Sequence, residues 1–157
     1  MTVAAETFES AYRRHSLELI RYATVMVGPD DAADVVADAM VHVFDGDVDL
    51  SSVVNVRAYL FRAVHHRAID HQRSRSRRRR RDASLQPQRH DSVGQPAAVD
   101  ARKVMAALSV QQRTIVFLTY WADQTPADIA GVLAVGEGTI RKQLARARAR
   151  LREVLHD

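Results

Sequence analysis

The chain is predicted to be all-α: two small helical domains joined by a flexible linker, the second containing a helix-turn-helix. Three observations predict this. Apolar residues recur at helical rather than alternating spacing along the chain. A polar stretch from Ser74 to Asp100, rich in Arg, Ser, Gln and Pro, interrupts that pattern with the composition of a solvated tether. Beyond it, Thr125-Pro-Ala-Asp-Ile-Ala-Gly-Val-Leu133 leads into a Gly136-centred turn and a basic helix from Glu137. At 157 residues with 46% hydrophobic content, the chain can build two small cores.

The first helix carries Phe8, Tyr12, Leu19, Ala23 and Met26 on one stripe and ends at Gly28-Pro29. A second runs from about Asp31 to Phe44. Its apolar side comprises Ala33, Val36, Ala39, Met40, Val43 and Phe44, and Asp31, Asp34, Asp38 and His42 share the other side. The Asp-Gly-Asp-Val-Asp string from Asp45 is not a calcium loop, because Leu50 and Val56 stand where the turn glycine and the bidentate Glu belong. A third helix, from about Val56 to Arg73, buries Leu60, Phe61, Val64 and Ala68 and presents Tyr59, Arg62, His66 and Arg73. An aromatic among cations suits a nucleic acid strand, since a base can stack while arginines neutralise phosphate; a core-edge Tyr beside solvated arginines is the plainer alternative.

After the tether, Val99 to Leu108 is helical in pattern, and Ser109 with Gln112 makes a capping box for a helix through Trp121. Thr125 caps the next helix, Pro126 suits its first position, and Asp128 can reach back to the cap. Gly136 stands in for the usual Ser or Asn cap of the last helix. There Ile140, Leu144, Ala147 and Leu151 form the buried stripe. Lys142, Ala145, Arg146 and Ala149 lie opposite, flanked by Arg141, Arg148 and Arg152, with no carboxylate between Glu137 and Glu153. That face suits a major groove: Arg and Lys donate to guanine edges or phosphates, Ala145 permits close approach, and Thr139 with the first-turn N–H groups can meet a phosphate. A solvated basic helix is the bland alternative.

The formal net charge of +4 understates an asymmetry. Asp30, Asp31, Asp34, Asp38, Asp45, Asp47 and Asp49 occur without an intervening Lys or Arg, whereas Arg62 to Arg81 is opposed only by Asp70. The first stretch repels DNA and the second attracts it. With no Cys there is no disulfide or thiolate zinc site. His65, His66 and His71 are not spaced as a ligand pair one helical turn apart, and surface or DNA-facing roles are expected for them. No metal, cofactor or catalytic constellation is expected. The N-terminus lacks a signal-peptide pattern and no apolar run reaches membrane-spanning length, so a cytoplasmic protein without membrane insertion is expected.

Taken together, Asp31-Ala-Ala-Asp-Val-Val-Ala-Asp-Ala-Met-Val-His-Val-Phe44, Ala58-Tyr-Leu-Phe-Arg-Ala-Val-His-His-Arg-Ala-Ile-Asp70, and Gly138-Thr-Ile-Arg-Lys-Gln-Leu-Ala-Arg-Ala-Arg-Ala-Arg-Leu151 after Ile129-Ala130 resemble a bacterial extracytoplasmic-function sigma factor of the sigma-70 family. The resemblance implies region 2 over residues 1–77, a linker over 78–98 and region 4 over 99–157. It implies a transcription initiation factor that directs RNA polymerase core to promoters. Asp31, Asp34, Val35, Asp38 and His42 would dock on the β′ clamp helices. Tyr59, Arg62, His66 and Arg73 would engage and help melt the minus-10 element. Thr139, Arg141, Lys142, Ala145 and Arg146 would read the minus-35 element, and the remaining surface of the second domain would meet the β flap. A restraining anti-sigma factor is also implied. His66 stands where the family often has Asn, so the minus-10 preference does not carry over. Tyr59 and Phe44 each stand where Trp is common and Ala37 where Gln is frequent, departures that bear on the strength of polymerase docking. Gln143 and Ala145 stand where larger or charged residues are common, so the minus-35 sequence does not carry over either. The alternatives are a stand-alone helix-turn-helix regulator and a polymerase- or RNA-binding protein without promoter choice.

Overall fold

The computed structural model describes residues 7–46, 49–82 and 103–156. Among them there are helices and no strands: α1 (Phe8–Val27), α2 (Ala32–Asp45), a 3-10 turn (Leu50–Ser52), α3 (Val56–Arg81), α4 (Val110–Tyr120), α5 (Pro126–Leu133) and α6 (Glu137–His156). One further helical turn covers 103–106. No described helix is long and apolar enough to cross a membrane. Most of the tether, and Asp47 with Val48 of the acidic string, lie outside the described residues.

The helix starts are chemically marked. Thr7 and Asn55 accept from the N–H groups of Ser10 and Ala58 to cap α1 and α3. Both expected capping boxes form: Ser109 with Gln112 at 3.1 and 3.2 Å, and Thr125 with Asp128 at 3.2 Å in each direction. Gly28 ends α1 with φ +89°, a conformation that a side chain would strain. In the helix-turn-helix, the left-handed residue is Ala134 (φ 56°, ψ 44°) rather than Gly136. Gly136 instead accepts the first intrahelical bond of α6, from Ile140 N–H.

Two expectations shift. Helix α3 does not stop at Arg73 but runs through the arginine tract to Arg81, so the first part of the expected tether is helical. Arginine is a good helix former, and cations in the last turn complement the helix dipole. On α2 the buried face is Ala32, Val35, Val36, Ala39, Met40 and Val43, while Ala33 and Phe44 are exposed. This spacing of three, one, three, one and three is a truer helical stripe than the face read from the sequence.

Helices α1, α2 and α3 pack mutually as a three-helix module, and α4, α5 and α6 as a second. The modules are not independent bodies: α1 packs on α4 and α3 on α5, and one buried cluster runs from Leu19, Tyr22 and Phe61 to Ile115, Phe117, Leu118, Ile129 and Ile140. Tyr22 is fully buried where they meet. Its ring stands edge-on to Phe61 at 5.2 Å and tilted against Phe117 of α4 at 5.8 Å. Its hydroxyl lies 2.8 Å from His65 Nδ1. Nearby, Arg57 donates to both carboxylate oxygens of Glu18 at 2.8 and 2.7 Å and stacks over Phe61.

His65 is thus half-buried and paired with the core residue Tyr22, rather than the freely exposed residue expected. Burial, with a smaller contribution from the neighbouring charge of His66, lowers its pKa from 6.5 to about 4. The neutral ring accepts from Tyr22, and protonation would remove that acceptor.

Two outcomes follow from this junction. Tyr22→Ala should cost about 3–5 kcal/mol of folding stability. Because the lone Trp121 stacks on Phe117, its fluorescence should report the loss in urea denaturation. A Trp121 transition unchanged by the substitution would mean that the modules do not share a core. The second outcome concerns pH. A histidine whose folded pKa lies below its unfolded value stabilises fully above pH 6.5, and this contribution is lost as pH falls from there toward about 4. Urea midpoints across that window should record a loss on the order of 2–3 kcal/mol, which His65→Gln should flatten.

Candidate nucleic-acid and protein-binding faces

The α6 face forms as its periodicity requires. Ile140 and Ala147 are fully buried, Leu144 and Leu151 are half-buried, and Thr139, Arg141, Lys142, Ala145 and Arg146 are all exposed on one side. Arg141 reaches Glu137 one turn earlier at 3.3 Å, an exposed contact too weak to withhold it from a partner. Arg148, one of the flanking cations, is more committed. It donates to the Tyr120 hydroxyl at 2.7 Å and lies over that ring at 5.7 Å, bracing α6 against the end of α4. Gln112 donates to Gln143 across the same interface at 3.2 Å. The projecting face is therefore held on a rigid support, as groove reading requires.

On α3, Arg62, His66 and Arg73 are exposed, but Tyr59 is half-buried and packs against the core. Beside them lies a hollow of about 620 Å³ bordered by Ala63, His65, His66, Asp70 and Arg73, with His42 of α2 and Leu133 of α5 also lining it. The second module thus flanks the surface that the first would offer to nucleic acid. The three histidines have separate surroundings: His65 pairs with Tyr22, His71 lies 3.0 Å from Asp31, and His66 faces solvent.

On α2, Asp34, Asp38 and His42 are exposed as expected, but two members of the set turn inward. Val35 is 3% exposed, because it lies on the helix's packing stripe. Asp31, at the N-cap position, bends toward α3, where its carboxylate accepts from His71 Nε2 at 3.0 Å and from Arg75 at 3.4 Å. Val35 is thus covered by packing, and Asp31 is half-buried and already paired.

Sequence reasoning missed what replaces them. Val41 and Phe44 are 59% and 66% exposed and border an apolar hollow of about 240 Å³ with Phe8, Tyr12, Ala37 and Met40. Phe44 leans on Phe8 at 5.1 Å, and Phe8 stacks with Tyr12 at 6.3 Å. The signal was present, since Val41 falls outside the stripe that Val36, Ala39, Met40 and Val43 define. An apolar strip rimmed by carboxylates has the anatomy of a protein-docking surface with a cationic partner.

Against known proteins, residues 11–78 match the family Sigma-70 region 2, and residues 99–151 match Sigma-70, region 4. The ECF RNA polymerase sigma factor SigM of Mycobacterium tuberculosis is 30% identical over 152 residues, covering 94% of this chain and 76% of the relative. The RNA polymerase sigma-E factor of Streptomyces avermitilis is 29% identical, covering 94% and 84%. Among solved structures, the sigma factor RpoE in complex with the anti-sigma factor NepR from Bartonella quintana has the same fold, with TM-score 0.81 and 23% identity over 95% of this chain and 96% of that one. CnrH, in complex with the cytosolic domain of CnrY, superposes with TM-score 0.65 and 24% identity over 95% and 87%.

Proposed function

Because the chain belongs to the extracytoplasmic-function sigma factors of the sigma-70 family, we propose that it is a transcription initiation factor that binds RNA polymerase core and directs it to two-part promoters. The observation that carries this reading is a chain in region 2 to region 4 order whose acidic, apolar-centred face on α2 is separate from basic faces on α3 and α6. Asp34, Asp38 and His42 dock on the β′ clamp helices, with Val41 and Phe44 added as the apolar centre of the contact. Tyr59, Arg62, His66 and Arg73 meet the minus-10 element. Thr139, Arg141, Lys142, Ala145 and Arg146 meet the minus-35 element, and the rest of the second module meets the β flap.

In this reading, residues 1–77 and 99–157 act as separate binding units joined by a linker over 78–98, its first residues helical. Helix α5 withdraws from the flank of α3 when polymerase seats both units, opening the surface beside His66 and Arg73 to the template. Two weak DNA readers fixed on one large enzyme gain from effective concentration, so the free protein binds promoters poorly. The factor acts in the cytoplasm, where polymerase works, and supplies binding energy to strand opening without chemistry of its own. The sigma factor RpoE is solved in complex with the anti-sigma factor NepR, and CnrH in complex with the cytosolic domain of CnrY. An anti-sigma factor is assigned to this chain on that likeness.

Run-off transcription from genomic fragments by core enzyme reconstituted with this protein tests the proposal. Discrete transcripts that require the protein are expected. Gel shifts with and without core separate the rival: an isolated protein that shifts a specific site as well as the holoenzyme does would make it a stand-alone regulator.

Residue substitutions should divide cleanly. Arg141→Ala or Arg146→Ala should weaken promoter recognition by about 1–3 kcal/mol per specific contact, with polymerase affinity intact in a core-binding titration. Asp34→Arg combined with Asp38→Arg should weaken holoenzyme assembly while leaving the urea midpoint near wild type. Asp31→Asn should do the opposite, lowering stability by up to about 1 kcal/mol without changing assembly. If Asp31→Asn proves the assembly-defective variant, the docking face has been placed on the wrong side of α2.

A further inference from the structure

On the side of the molecule where α3 leaves the core, a cleft of about 350 Å³ lies between the two modules. Its wall on α3 is made by His71, Arg75 and Arg79, spaced four residues apart on one stripe, with Gln72 and Ser76 alongside. Its opposite wall is Arg113 of α4, and the C-terminal end of α1 forms the floor.

The charges there are out of balance. Three arginines line the cleft, and one carboxylate stands beside it: Asp31, which is shared between His71 at 3.0 Å and Arg75 at 3.4 Å. Neither Arg79 nor Arg113 has an acidic partner among the described residues. Arg113 is the more telling, because its Nε is buried without a hydrogen-bond partner. Arg113 as a whole is half-buried, and a cation partly withdrawn from water without a counter-charge is unfavourable; that partial burial lowers the pKa of this arginine. Gln72, by contrast, is spent on the wall itself, donating to the Met26 carbonyl at 2.6 Å.

We propose that this seam cleft between α3 and α4 binds a small anion bearing two or more phosphoryl charges, held by Arg75, Arg79 and Arg113, and that the bound anion ties the two modules together. Planar guanidinium forks match phosphoryl oxygens, and Ser76 can donate to a further oxygen. The cleft's volume suits an inorganic polyphosphate or the phosphate end of a nucleotide. A duplex fits the cleft less well than a small anion, since Arg113 is half-buried with its Nε out of solvent, while Arg75 and Arg79 are exposed on the end of α3. The site stands on its own residues and does not depend on the promoter reading. Because its walls belong to different modules, an occupant favours the closed arrangement over one in which α4 and α3 have parted.

The test is calorimetric titration of the full chain with inorganic triphosphate, pyrophosphate and orthophosphate at physiological ionic strength, alongside thermal melts. Saturable one-to-one binding of triphosphate is expected, at least about ten-fold tighter than orthophosphate, with a rise in Tm. Arg113→Gln and Arg79→Gln should each weaken it by about ten-fold or more and abolish the Tm rise. Arg79 lies on the exposed end of α3, so its variant remains informative even if Arg113→Gln misfolds. Arg150→Gln, on the far helix where Arg150 pairs with Glu153 at 2.9 Å, should bind as wild type. Absence of saturable binding, equal weakening by Arg150→Gln, or stoichiometric displacement of triphosphate by a random DNA duplex would each overturn the proposal. The last result would assign the cleft to nucleic acid.

Discussion

The burial of Tyr22 is the contact on which the rest of the architecture depends. It sits on α1, meets Phe61 and His65 of α3 within its own module, and meets Phe117 of α4 in the other. A side chain buried among three helices from two modules makes their cores one. The hydroxyl would be costly there without a partner, and His65 supplies it. The pairing half-buries a histidine and holds its charge off near neutrality, with the neighbouring His66 left in solvent.

From that shared core the functional faces take their positions. Helix α3 carries the polar contacts that tie the first module together and, on another side, the exposed Arg62, His66 and Arg73. Packing α5 against it brings Leu133 beside the latter group. Packing α4 against α1 brings Arg113 opposite Arg75 and Arg79. Closing the modules thus has two electrostatic consequences: it flanks one basic surface and concentrates another. The run of aspartates and the run of arginines are separate along the chain, and in the fold Asp34 and Asp38 are exposed on α2 while Arg62 and Arg73 are exposed on α3 and Arg141, Lys142 and Arg146 on α6.

Much of this was legible from residue order. Both capping boxes, the end of α1 at Gly28, the buried stripe of α6 and its exposed cations are local matters, decided within one or two turns of helix, and the structure has them where spacing put them. What went astray was non-local or cumulative. The arginine tract resembled a tether by composition, yet arginine's helix propensity carried α3 through it. The α2 face was read with Ala33 and Phe44 inside, and packing against α1 and α3 instead selected Ala32 and Val35. Asp31 was grouped with Asp34 and Asp38 by helical spacing, but a carboxylate at the start of a helix is also within reach of whatever passes nearby, here His71 and Arg75.

The sequence by itself determined the helices, their caps, the helix-turn-helix and the segregation of charge, because each depends on neighbours within a few residues. It also determined family membership, since the ordered segments of region 2 and region 4 are present as text. Only the tertiary structure decided that Val35 is covered and Asp31 paired with α3, that Val41 and Phe44 are left exposed, that His65 is half-buried against Tyr22, and that Arg113 shares a cleft with the end of α3. A helical period tells which residues share a side and is silent on what that side will meet. Covering a face, pairing a charge or orphaning it requires a partner distant in sequence, and such partners are chosen by how the helices pack.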